Sequence, residues 1–145
     1  MRGLTPIVKK AAQLMSGIIF VYGIYIVTHG HLTPGGAFAG GILLAGAFIL
    51  LILAFGSEVI SLRKEETGSS LTESISILIA LMFAVLGLFL GTKIFFNNYL
   101  PKGELGELFS AGAIPVYNTL IGIEVAAAIV TIFLALIIFK EEEEQ

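Results

Sequence analysis

The strongest constraint on this chain is a repeated length. Four apolar runs, about Ala11 to Thr28, Ala37 to Ile60, Leu71 to Phe96 and Val116 to Phe139, are separated by short polar connections. At 1.5 Å per residue, helices of these lengths reach roughly 27–39 Å, against a hydrocarbon slab of about 30 Å. Inside lipid every backbone N–H and C=O must be satisfied by the protein itself, and a helix does so within its own segment. The runs therefore predict an all-α membrane protein with four transmembrane helices, forming a single membrane domain over residues 1–145. Composition agrees, with 57% hydrophobic and 13% charged residues, where soluble domains have roughly 45–50% and about 25%.

Several chemistries are excluded at once. Cysteine and aspartate are both absent, so disulfides, iron–sulfur ligation, thiol catalysis and a Ser/His/Asp set are ruled out. No glycine-rich loop follows a strand, and no basic face suits nucleic acid. The sequence reads as non-enzymatic and without a cofactor.

Arg2, Lys9 and Lys10 before the first run resemble a signal peptide's charged start. The run is long, however, and no small-x-small cleavage site follows it, so it is expected to be a retained helix. Small residues recur at four-residue spacing: Gly36 and Gly40, then Ala37, Gly41 and Ala45, and later Gly87 and Gly91. Such rows let helices approach closely in lipid. Glu58 stands near the end of the second helix, and Arg63 to Ser70 reads as a short charged loop. Ser70 or Thr72 would cap the third helix, with Glu73 in its first turn. Between Asn97 and Pro115, Leu105, Leu108 and Phe109 suit a short interfacial or re-entrant segment. The acidic end, Glu141 to Glu144, reads as a frayed, solvated tail. Arg2, Lys9, Lys10, Arg63, Lys64 and Lys140 flank one side of the spans, and only Lys93 and Lys102 the other. That bias predicts a multi-pass protein of the cell membrane with both termini cytoplasmic.

One carboxylate stands out. Glu124 falls eight residues after Val116, roughly 12 Å into the fourth helix. A charge there costs about 2.5–3.5 kcal/mol on insertion scales. It must face a partner, a water-filled cavity or another subunit, or else be protonated. It would then either serve a proton or cation path or hydrogen-bond a neighbouring helix and hold the bundle together. Lys93, near the outward end of the third helix, would reach toward it if those helices adjoin, or else anchor at the interface by snorkelling. His29 and His31 lie in the connection after the first helix, and histidine is the side chain whose charge changes near neutral pH. The candidate ion path is therefore Glu124, Lys93, His29 and His31. His29-x-His31 alone does not complete a metal shell, so no metal is expected. One buried carboxylate, with no internal repeat, is too little for a self-contained transporter, and the small-residue faces suggest packing against other subunits.

The stretch Gly30-His31-Leu32-Thr33-Pro34-Gly35-Gly36-Ala37-Phe38-Ala39-Gly40-Gly41, followed later by Asn118-Thr119-Leu120-Ile121-Gly122-Ile123-Glu124, resembles the MnhB/MrpB family across essentially the whole chain. The resemblance implies a small, non-catalytic membrane subunit of an Mrp-type sodium/proton antiporter, working with other membrane subunits on Na+ and H+. It equally admits the same kind of subunit in an archaeal membrane-bound hydrogenase or sulfane-sulfur reductase. It assigns His31, Pro34, Gly35, Gly36, Phe38, Gly40 and Gly41 to a structural motif. Ala37 stands where the family often has a third glycine, and Ala39 where it often has glutamine. A purely structural scaffold subunit and a free-standing small membrane protein are the rival readings.

Overall fold

Each helix ends where its sequence stops supporting it. In the computed structural model, which describes residues 4–56, 62–90, 94–104, 106–108 and 110–143, the elements are α1 (Pro6–Thr28), α2 (Gly36–Phe55), α3 (Leu62–Leu90) and α4 (Ile114–Glu143). All four are long and apolar enough to cross a membrane. Pro6 opens α1 after an extended Thr5, a position where proline's missing N–H costs nothing. Lys9 and Lys10 are therefore within the helix. α2 stops at Gly56, whose φ of 81° turns the chain while its N–H still bonds Ile52 O. That positive φ is one glycine adopts readily, and the turn ends the helix short of Ile60. Glu58 lies outside the described residues.

The largest departure from the sequence reading is at Arg63–Ser70, which is helix and not loop. Its Arg, Lys and Glu residues are good helix formers, and Glu65 sits in the favourable first turn. The hydroxyls of Thr72 and Ser74 bond back to Gly68 O and Ser70 O one turn earlier. α3 then ends by Leu90, and the chain folds back on it, Phe96 (φ 63°) donating its N–H to Ala84 O. Gly87 therefore packs against Asn97 of this return and not against another helix; Gly91, the other half of the expected pair, lies outside the described residues. The described part of the connection contains no helix. It is pinned by Asn98, which accepts from Ala113 N at 2.8 Å and donates to Ala111 O at 3.1 Å. Leu105 and Phe109 lie outside the description. At the other end α4 continues through Glu141–Glu143 instead of fraying.

Contacts give the topology. Val27 lies beside Gly40, Gly23 beside Leu44, and the Phe20 and Phe48 rings meet edge-on at 5.8 Å, so α1 and α2 are antiparallel. Gly41 meets Gly122, and Ile52 clusters with Leu134 and Ile137, so α2 runs parallel to α4. Ser69 Oγ donates to Ala127 O at 2.7 Å and Phe83 packs on Tyr117, so α3 is antiparallel to α4. The start of α1 and the end of α4 thus share one end of the bundle. α4 is the central helix, with the α1–α2 pair on one side and α3 on the other.

The helices are not flush. Ala127 is the midpoint of the spanning stretch Ile114–Lys140, but Ser69 is eight residues from Ile77, the midpoint of Lys64–Leu90. α3 is therefore displaced along α4 by roughly 12 Å. That shift brings its polar first turns alongside the apolar centre of α2 and α4.

Candidate intramembrane site

The site is built on a junction where three helices meet through glycine. A Cβ on Gly40 would overlap Val27 of α1, with Gly23 O at 3.1 Å. One on Gly41 would meet Gly122 O and Val125 of α4 at 2.8 Å. One on Gly122 would meet Val27 at 2.7 Å. Only glycine permits backbones this close, and in lipid such close packing supplies much of the association energy. The preceding connection belongs to the same arrangement: Gly30 lies against Gly36 and the Asn118 side chain, and Gly35 (φ 139°) against Ile26. Of the motif residues, Gly40 and Gly41 are buried with Ala37, while Pro34 and Phe38 are exposed. Phe38 is 64% exposed and points away from this chain's own bundle.

Glu124 follows this junction directly. It lies three residues before Ala127, so close to the middle of α4's span, and is half-buried. It has no hydrogen bond or ion pair among the described residues. Gly122 and Val125 are buried to either side, so the backbone that carries Glu124 is held firmly against α1 and α2. Lys93 lies outside the described residues. The antiparallel register places Leu90, the last described residue of α3, roughly 27 Å along the bundle from Glu124. The same register brings Thr72 and Glu73 level with Glu124. Glu73, a first-turn acid in the sequence reading, is thus a mid-helix carboxylate beside the centre of α4. Only the register between helices reveals that, and no local pattern encodes it.

The two histidines separate in role. His29 caps α1: Nδ1 lies 3.0 Å from Tyr25 O and from Thr28 Oγ1, and its ring stacks on Tyr25 at 4.2 Å. His31 has both ring nitrogens buried with no hydrogen-bond partner among the described residues. The contact of Gly30 with Asn118 sets this connection six residues along α4 from Glu124, roughly 9 Å. The connection and Glu124 thus share one stretch of α4, Asn118–Glu124, without touching. Among the described residues no group of three His, Cys, Asp or Glu side chains is arranged to hold a metal ion.

Residues 7–131 match the family described as a domain related to the MnhB subunit of Na+/H+ antiporter. A protein of Methanocaldococcus jannaschii is 37% identical over 134 residues, covering 88% of this chain and 50% of its own length. A Staphylococcus haemolyticus protein named for antiporter subunit mnhB2 is 29% identical, covering 90% of this chain and 92% of its own. A Staphylococcus aureus counterpart is 30% identical with the same coverage. Among solved structures, a chain of the membrane-bound sulfane sulfur reductase, an archaeal respiratory membrane complex, superposes with a TM-score of 0.72 at 34% identity. That match covers 89% of this chain and 56% of the solved one. The chain thus spans nearly all of the staphylococcal relatives and about half of the archaeal ones.

Proposed function

The chain belongs to the family of domains related to the MnhB subunit of Na+/H+ antiporters, and on that premise we propose that it is a membrane subunit of a multi-subunit cation/proton antiporter module, helping to form the ion path. The observation that carries this reading is Glu124: a half-buried carboxyl near the middle of a spanning helix, without a partner among the described residues. Such a group is retained against its insertion cost where ions or protons use it. A carboxyl that gives up H+ as it takes Na+, and the reverse, offers both ions one site, which couples their movements. His29, His31 and Lys93 belong to the outward approach to that site. The small number of titratable groups in the spans leaves the remainder of the path to other subunits. The six-to-two bias of basic residues orients both termini to the cytoplasm.

The deciding experiment is Glu124→Gln in the assembled complex, with sodium-dependent proton movement followed in vesicles. The substitution keeps the shape and removes the exchangeable charge. Transport is expected to fall at least tenfold with assembly unchanged. Full transport at normal assembly overturns the ion-handling role and favours the scaffold reading. A second reading, the same subunit in a redox-driven complex, is supported by the likeness to the sulfane sulfur reductase chain. Nickel or iron–sulfur content in the purified complex distinguishes the two.

A further inference from the structure

A lateral cleft of about 780 Å³ opens between the α1–α2 pair and α3, with α4 as its floor. Three of its walls are apolar, represented by Phe20, Phe48 and Val130, and the fourth is the polar start of α3, where Glu65, Ser69 and Thr72 face in. We propose that this cleft receives a transmembrane helix of a partner subunit, apolar along most of its inserted face and carrying one basic or hydrogen-bond-donating side chain that meets Glu65. The proposal rests on the multi-subunit reading above and adds to it a surface and the chemistry of its occupant.

The choice of occupant follows from what each wall needs. The hydroxyls are already used: Ser69 donates to Ala127 O and Thr72 to Gly68 O. The Glu65 carboxyl has no ion pair or hydrogen bond among the described residues and is exposed to the cleft. Its register with α4 is at Thr131, nine residues short of Lys140, so roughly 14 Å inside the end of that span. A glutamate side chain cannot snorkel that far. Lipid chains would satisfy the apolar walls and strand the charge, at a cost of about 2.5–3.5 kcal/mol. Water would hydrate the charge, but walls so largely apolar hold water poorly. A helix with one cationic or donor group satisfies all four walls, and intramembrane charges are generally paired in this way. The space is in proportion, since a cylinder about 10 Å across fills it in about two turns. The archaeal relatives, in which about half of the chain lies outside the match, show that this domain occurs with further polypeptide attached.

The test is a photo-crosslinking residue, benzoylphenylalanine, in place of Phe48, in the complex purified from native membranes, with Met15 on the outer face of α1 as the control position. Adducts at position 48 are expected to map by mass spectrometry to a hydrophobic segment of another subunit that contains Lys, Arg or His. Glu65→Lys should reduce that adduct at least tenfold, and Glu65→Gln by less. Adducts to lipid, or to this chain alone, overturn the proposal, as does an adduct unaffected by Glu65→Lys. A native mass of one chain would instead overturn the multi-subunit reading itself, so the two failures are distinguishable.

Discussion

At the scale of single residues, a methyl group is enough to decide how α1, α2 and α4 meet. Gly40 and Gly41 sit where an added Cβ collides with backbone or with a β-branched side chain of another helix, whereas Gly46, on the same helix, has nothing within 4 Å. Gly40→Ala and Gly41→Ala are each expected to destabilise the fold by about 1–3 kcal/mol through overpacking. Gly46→Ala should be neutral or stabilise by up to about 1 kcal/mol through reduced backbone entropy in the unfolded state. Thermal denaturation of the three variants in one detergent checks the contrast, and equal effects at all three positions would refute the close-packing role. The motif's glycines were readable from their four-residue spacing. Which helix each one touches was not, because Gly40 meets Val27 on the preceding helix while Gly41 meets Gly122, eighty-one residues away in sequence.

At the scale of elements, α3 is the helix whose position matters most. Local sequence predicts its apolar stretch and suggests that its charged beginning is a loop, because Lys, Glu and Ser in series between two apolar runs usually mark the water side. The same residues have good helix propensity, and the Ser69–Ala127 hydrogen bond draws them along α4. Cysteines introduced at 69 and 127, in a chain that has none of its own, should form a disulfide on mild oxidation, while cysteines at 77 and 127 should not. Cross-linking of the second pair alone would mean that α3 sits flush with α4 and that Glu65 lies level with the end of α4's span. The roughly 12 Å offset sets Glu65 level with Thr131, roughly 14 Å inside the end of α4's span.

At the scale of the whole molecule, the exposed surface is that of a subunit. Large apolar side chains face outward on every helix, among them Ile7 at 82% and Phe89 at 81% exposure, which suits lipid and neighbouring helices. With α1 antiparallel to α2 and α2 parallel to α4, the start of α1 and the end of α4 lie at one end, and the orientation proposed above places that end in the cytoplasm. A single cysteine at Lys102 is therefore expected to react with a membrane-impermeant thiol reagent applied outside intact cells, and one at Lys140 only after permeabilisation. The reverse pattern would invert the proposed topology and place the His29–Gly36 connection inside.

The sequence alone determined that this chain is helical, that it has four spans, and that a carboxylate lies deep in the last of them. Those properties follow from run length and from the cost of unpaired backbone or charge in lipid, both of which are local. Tertiary structure alone decided that three helices share one glycine junction, that His29 is a cap while the His31 ring has no hydrogen-bond partner among the described residues, and that the polar start of α3 borders a lateral cleft. Those depend on how far one helix slides along another. Between apolar helices in lipid that sliding is set by steric fit and single hydrogen bonds, and no periodicity within one run records it.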